Sequence, residues 1–224
     1  ATATATGYCL VHGHYVGVID VTIDQAGLVT DATVEEYFLP YNWAKVAVAD
    51  TENLPADVLA VVGSRGTSYY AMYIDVDGVL FTGTVEGEEG AQHITYSATG
   101  IDDIEAWVED AANAEAYVEA VEAGNFFIAN QDGSESSYVR SDATSNISMK
   151  KSESGYWSGV NYPLGWAGNM EAFITGITGT KLNAALETIV KDGTWSIGSI
   201  TTGATMTDFI DYYEVAQRGY ANAL

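Results

Sequence analysis

The chain has 224 residues, 47% of them hydrophobic, enough to bury a core without disulfides or a structural metal and too apolar for disorder. Its 31 acidic residues against 8 basic ones give a formal net charge of −23, and Lys150-Lys151 is the only adjacent basic pair. Phosphate-rich partners need clustered Lys and Arg, so the charge balance disfavours nucleic acid and anionic membrane surfaces as partners.

A single cysteine, Cys9, forbids an internal disulfide. No run of about 18 apolar residues is present to make a transmembrane helix. In chain order, Ala1 to Thr6 alternate Ala and Thr. Residues 1–12 are expected to be a flexible arm or an edge strand, able to add to a neighbouring chain and so build a homo-oligomer or filament. The opening has neither an initiating Met nor a basic stretch, the form expected once a signal peptide has been removed. Low Lys, abundant Thr, Gly and Tyr, and strong acidity point the same way, to a secreted or cell-surface protein.

Residues 14–24 alternate, with Ile19, Val21 and Ile23 on one side and Asp20, Thr22 and Asp24 on the other, which predicts a strand. Gln25-Ala26-Gly27 is a turn signal, and Leu28 to Tyr37 predicts the partner strand of a hairpin. Tyr69–Val76 and Val79–Val85 predict a second pair joined at Asp77-Gly78, residues that tolerate the positive φ of a tight turn. His93–Ala98 predicts one more strand. Ile101 to Ala123 lacks Gly and Pro and places Ile104, Val108, Ala111, Val118 and Val121 at helical spacings. With Asp102 and Asp103 in its first turn and Gly124 after its end, it predicts one long helix. Residues 130–155 predict a polar loop with a short strand near Tyr138–Arg140. Helices are expected at Asn169–Thr175, at Lys181–Val190 and from Thr207 or Asp208 to Ala221. Strands first and helices later give an α+β class, antiparallel sheets packed with a long helix and C-terminal helices.

Thr202-Gly203-Ala204-Thr205-Met206-Thr207 follows a short predicted strand and opens the last helix. Hydroxyls and a glycine at a helix N-terminus suit a phosphate, because backbone N–H groups point outward there and the dipole favours an anion. The same residues also serve as an ordinary N-cap, in which Thr205 or Thr207 accepts a backbone N–H.

This segment resembles the Ser/Thr-Gly-Ala-Thr-x-Ser/Thr signature of the FMN-binding domain family. That family includes flavoprotein subunits of sodium- and proton-pumping redox complexes and secreted lipoproteins of extracellular electron transfer. Gly13-His14-Tyr15-Val16-Gly17 is similar to the Gly-x-Tyr-x-Gly-like entry of the family's early strand pair, and Asn169–Val190 to the helical segment before its motif. Ser199 stands where the family usually has Asp. The resemblance covers mainly residues 13–37 and 155–220. It implies a domain over residues 13–224 with an unassigned insertion around 40–150. It also implies FMN joined by a phosphoester to Thr207, with Thr202, Gly203, Ala204 and Thr205 shaping the site. Trp157, Tyr162 and Trp166 are the aromatics expected near the ring; Gly-rich aromatic segments otherwise fill cores. The function implied is extracytoplasmic electron transfer, by a redox carrier rather than a turnover enzyme, with the protein setting the flavin potential. Strong acidity disfavours the reduced anion and lowers that potential.

Other segments carry weaker chemistry. Cys9, His12 and His14 offer a thiol and two imidazoles for zinc, copper or haem iron, and on a strand the two histidines would share a face. A buried free thiol with surface histidines is the expectation. Glu86, Glu88 and Glu89 with Asp102 and Asp103, and the loop Asp132 to Glu135, offer oxygen ligands for calcium but match no EF-hand spacing, and solvated loops are expected. No Gly-x-Ser-x-Gly, Walker loop or dinucleotide fingerprint occurs. The alternative to a redox carrier is a structural or assembly subunit of a surface filament or layer, built on the same scaffold without flavin.

Overall fold

The computed structural model describes residues 1–159 and 162–224, and its class is α+β, as expected. The chain forms two units, Ala1–Tyr37 with Lys150–Leu224, and Phe38–Met149. In the first unit β1 (Ala3–Val11), β2 (Tyr15–Ile23) and β3 (Val29–Phe38) make a sheet in that order. β1 pairs antiparallel with β2 along its whole length, from Ala3 opposite Ile23 to Val11 opposite Tyr15. The Ala/Thr segment is thus an edge strand of its own chain's sheet. Residues 12–14 are the connecting turn, with His12 at φ +53°, so His12 and His14 do not share a strand face.

The second unit opens with α1 (Pro40–Trp43), followed by the hairpin β4 (Val58–Gly63) and β5 (Gly66–Ala71). Then come β6 (Tyr73–Val76), β7 (Val79–Glu86) and β8 (His93–Ser97). The predicted strand at Tyr69–Val76 is two strands, broken at Met72, whose members join different sheets. Asp77 and Gly78 take the positive φ values the β6–β7 turn requires. The long helix expected at 101–123 is also divided, into α2 (Ile104–Trp107) and α3 (Ala111–Glu122). The cause is a second cap. Asp103 accepts from Glu105 N to start α2, and Asp110 accepts from Ala112 N and Asn113 N to start α3. β9 (Phe126–Ile128) completes a sheet of order β8-β7-β6-β9. Near Tyr138–Arg140 only an isolated bridge forms, Arg140 to Val46. Trp43, Phe81, Tyr96 and Tyr117 are among the large side chains fully buried here.

The chain returns to the first unit for α4 (Gly165–Ile177), β10 (Ile189–Asp192), β11 (Thr194–Ile197), β12 (Ile200–Thr201) and α5 (Phe209–Ala223). The helix expected at Lys181–Val190 is absent. Leu182 has φ +50°, a short 3-10 turn spans Leu186–Thr188, and a strand follows. Side chains of α5 take up the backbone groups a helix would use: Gln217 donates to Leu182 O, and Ala184 N donates to the Tyr213 hydroxyl. β-branched Thr188, Ile189 and Val190 favour extended chain. α5 lies against β1 and β2 at a point where two glycines meet; a Cβ on Gly7 would stand 2.1 Å from Val215 O. No helix among the described residues is long and apolar enough to cross a membrane.

Candidate functional site

The residues from Thr202 to Thr207 form one irregular segment between β12 and α5. Thr202 is buried, and its hydroxyl donates to Trp195 O (2.7 Å) while accepting from Ala204 N (3.2 Å). Gly176 of α4 makes room for it, since a Cβ there would fall 2.4 Å from the Thr202 methyl group. Gly203 is exposed, Ala204 is buried, and Trp195 N donates to Ala204 O. Thr205 and Met206 donate their backbone N–H groups to one acceptor, Asn169 Oδ1, at 2.7 and 2.9 Å. Asn169 is fully buried in α4, and its amide donates to Gly165 O, which fixes which way the carboxamide faces. Trp195 Nε1 donates to Met206 O, and the indole stacks on Phe209, the first residue of α5, at 5.3 Å. Lys191 Nζ donates to Thr205 O (2.7 Å). Every turn of the segment is therefore tied to α4, β10 or β11, and Thr207 at its end is exposed.

An open groove of about 540 Å³ runs beside this segment. One wall is the small-residue face of α4, Gly168, Ala172 and Gly176, with Glu171 and Leu164; the other is Ile200 to Gly203. At the mouth of α5, Asp208 is left-handed (φ +59°) and makes no side-chain cap. Its carboxylate instead pairs with His12 Nδ1 at 2.6 Å, while His12 N donates to Asp211 Oδ2 at 3.1 Å. Burial, with Asp208 adding repulsion, pushes the Asp211 carboxyl above its ordinary range. An anion at this helix end thus meets two carboxylates, while Lys191 is held on the preceding segment at Thr205 O.

The expected aromatics fall into two groups. Trp157 and Tyr162 pair with each other at 5.3 Å, and Tyr162 is 47% exposed. Trp166 is buried at a different centre, where its indole donates to Glu36. That centre holds a water-excluded ion pair: Lys151 Nζ lies 3.0 Å from Glu36 Oε1, with side-chain exposures of 1% and 0%. The same ammonium sits 3.4 Å above the Tyr15 ring and 4.2 Å from the Tyr156 ring. Burial lowers the Lys151 pKa, and the Glu36 carboxylate opposes that shift. Tyr212 hydrogen-bonds to Glu36 as well, and burial raises its hydroxyl well above the ordinary range.

Among the described residues, no group of three or more His, Cys, Asp or Glu side chains is placed to hold a metal ion. Cys9 is half-buried and forms no disulfide. Glu86 pairs with His93 at 3.3 Å, and Asp132 caps its own loop through Ser134 N. The second unit has a smaller polar cleft of about 260 Å³, lined by Tyr41, Lys45, Arg65, Ser68, Tyr70 and Gln92 among others.

Sequence reasoning missed Asn169, Lys191, Trp195 and the Glu36–Lys151 pair. Asn169 left one signal: a lone amide on a face otherwise made by Trp166, Met170 and Phe173 at helical spacing. Comparisons of this chain with protein-family models, with curated proteins and with solved structures find no match.

Proposed function

We propose that this chain is an extracytoplasmic electron-transfer protein that carries FMN esterified through its phosphate to Thr207. The observation that supports this best is an exposed hydroxyl at the end of a segment pinned along its length, with a roomy groove opening from the same segment. What supports the reading sterically is that Thr207 is exposed and that Thr202 and Gly203, at the start of its segment, line the groove. In this reading Thr207 supplies the ester oxygen and Lys191 offsets the phosphate charge. Asn169 fixes the backbone, and the Gly168–Ala172–Gly176 face receives a flat ring. Bound flavin supplies one- and two-electron transfer at physiological potentials. The surrounding carboxylates, Glu171 above all, disfavour a reduced anion and keep its potential low.

The test is the visible spectrum of protein purified from its native source, where the protein meets whatever enzyme would attach the flavin. Flavin bands that survive denaturation and precipitation support covalent attachment. Thr207→Val is expected to abolish them while leaving the far-UV circular dichroism unchanged; a Val variant with undiminished flavin overturns the assignment.

The reading of the Ala/Thr segment as a docking strand for another chain finds less support. The carbonyls of Thr6 and Tyr8 on β1 already accept from Asn222 Nδ2 and Arg218 Nη1 of α5, the usual way of blunting a sheet edge.

A further inference from the structure

The buried pair at Glu36 and Lys151 lies outside the groove, and its surroundings are unusual for an ion pair. Both side chains are sealed from water, a costly arrangement that offers little net stability unless the pair does something else. Two neutral donors, the Trp166 indole N–H and the Tyr212 hydroxyl, serve the Glu36 carboxylate, the indole on Oε2. The other oxygen, Oε1, faces the amine at 3.0 Å. Two tyrosine faces, at 3.4 and 4.2 Å, hold that amine in place. An antiparallel bridge sets Tyr37 opposite Lys150, and that register puts Glu36 opposite Lys151. The pair therefore stands where the chain leaves the first unit, after Tyr37, and where it returns, at Lys150.

We propose that Glu36 and Lys151 condense to an intramolecular amide, a covalent staple that closes the ends of residues 38–149. The ammonium proton passes to Glu36 Oε1 along the existing hydrogen bond, leaving a neutral amine and a neutral acid. The nitrogen lone pair attacks Glu36 Cδ, and the carbonyl π pair moves onto Oε2, where the indole N–H of Trp166 receives it, while the Tyr212 hydroxyl bonds to the same carboxyl group. The attacking nitrogen then gives a proton to Oε1. The Cδ–Oε1 bond breaks with its electron pair, and one water leaves. One N–C bond forms, one C–O bond breaks, and no oxidant, cofactor or second enzyme is consumed. The dry cage favours the neutral amine that the attack needs, in keeping with the lowered Lys151 pKa. For a chain with one cysteine, such a staple performs the task that a disulfide performs elsewhere.

Intact-mass spectrometry of the purified full chain is the test. The expected mass is one water below the sequence value. Tryptic digestion should then give a branched peptide joining the Glu36 and Lys151 segments, with no cleavage after Lys151. Lys151→Arg, which keeps the charge, is expected to return to the full mass. Tyr212→Phe and Trp166→Phe are expected to raise the uncondensed fraction at least several-fold by weakening the hold on the Glu36 carboxyl group. A wild-type chain at full sequence mass, cut normally after Lys151, overturns the proposal. So does a lost water that maps to a cyclic imide at one of the Asp-Gly pairs.

Discussion

Single side chains decide whether the Thr202–Thr207 segment is a site or an ordinary linker, and Asn169 is the most exacting of them. Its one oxygen receives two consecutive backbone N–H groups, and Met206 is too buried for water to take its place. Asn169→Ala is expected to cost about 1–3 kcal/mol, the penalty of a buried donor left alone. In a chain of this size each kcal/mol lowers Tm by roughly 2–4 °C. Flavin content should fall in step, which calorimetry and the visible spectrum read together. Asp211 acts in the opposite sense. Its folded pKa is raised, so the native state binds more protons than the unfolded chain between the ordinary carboxylate pKa and the raised one. The penalty is absent below that window, grows as pH rises through it, and is full at neutral pH. Asp211→Asn keeps an oxygen for His12 N while removing the charge. Its expected effect is a higher Tm at pH 7 and no gain at pH 3. Thermal melts across that range check the sign, and an equal shift at both ends sinks the argument.

At the scale of elements, the packing of α5 on β1 rests on the absence of side chains. The Cβ of an alanine at Gly7 would have to displace the Val215 carbonyl and the Gly219 backbone nitrogen, 2.1 and 2.6 Å away, which are backbone atoms that cannot rotate aside. Gly7→Ala is expected to destabilise by at least about 2 kcal/mol, in the range of overpacked cores, with urea melts giving a lower midpoint at unchanged slope. Such close approaches are invisible in a sequence, where Gly7 reads only as part of a small-residue stretch. What was legible is what local patterning controls. Alternation at 14–24, the Asp77-Gly78 turn and the hydrophobic stripe of α5 each specify an element within a few residues. The failures share a cause in tertiary contact. Lys181–Val190 has helical composition, but Tyr213 and Gln217 of α5 take its backbone groups. Asp110 could have been read as a cap, yet no glycine or proline marks the break it makes. The Thr202–Thr207 segment is singled out in the sequence by its place before the last helix and by the family resemblance, whereas Glu36 and Lys151 lie 115 residues apart and reveal themselves only when the chain is folded.

For the molecule as a whole, the arrangement of two units makes a claim about autonomy. Residues 38–149 leave and re-enter through adjacent positions: Tyr37 and Lys150 form a bridge, and Phe38 N donates to Met149 O at 3.0 Å. Paired antiparallel residues stand roughly 5 Å apart, a span that a two-residue hairpin loop covers. The groove and the bonds that hold Thr202 to Thr207 among the described residues come from α4, β10, β11, β12 and the segment itself, all in the first unit. A chain in which Asn-Gly joins Tyr37 directly to Lys150 is therefore expected to fold, to melt cooperatively, and to take flavin at Thr207 when expressed in the native host. The hairpin would also set Glu36 and Lys151 side by side from the first moments of folding, where the intact chain must first bring together residues far apart in sequence. Loss of a cooperative melt in this shortened chain would show that the second unit is part of the first unit's stability. A cooperative melt without flavin would separate the fold from the site, and would move the search for the cofactor's determinants into residues 38–149.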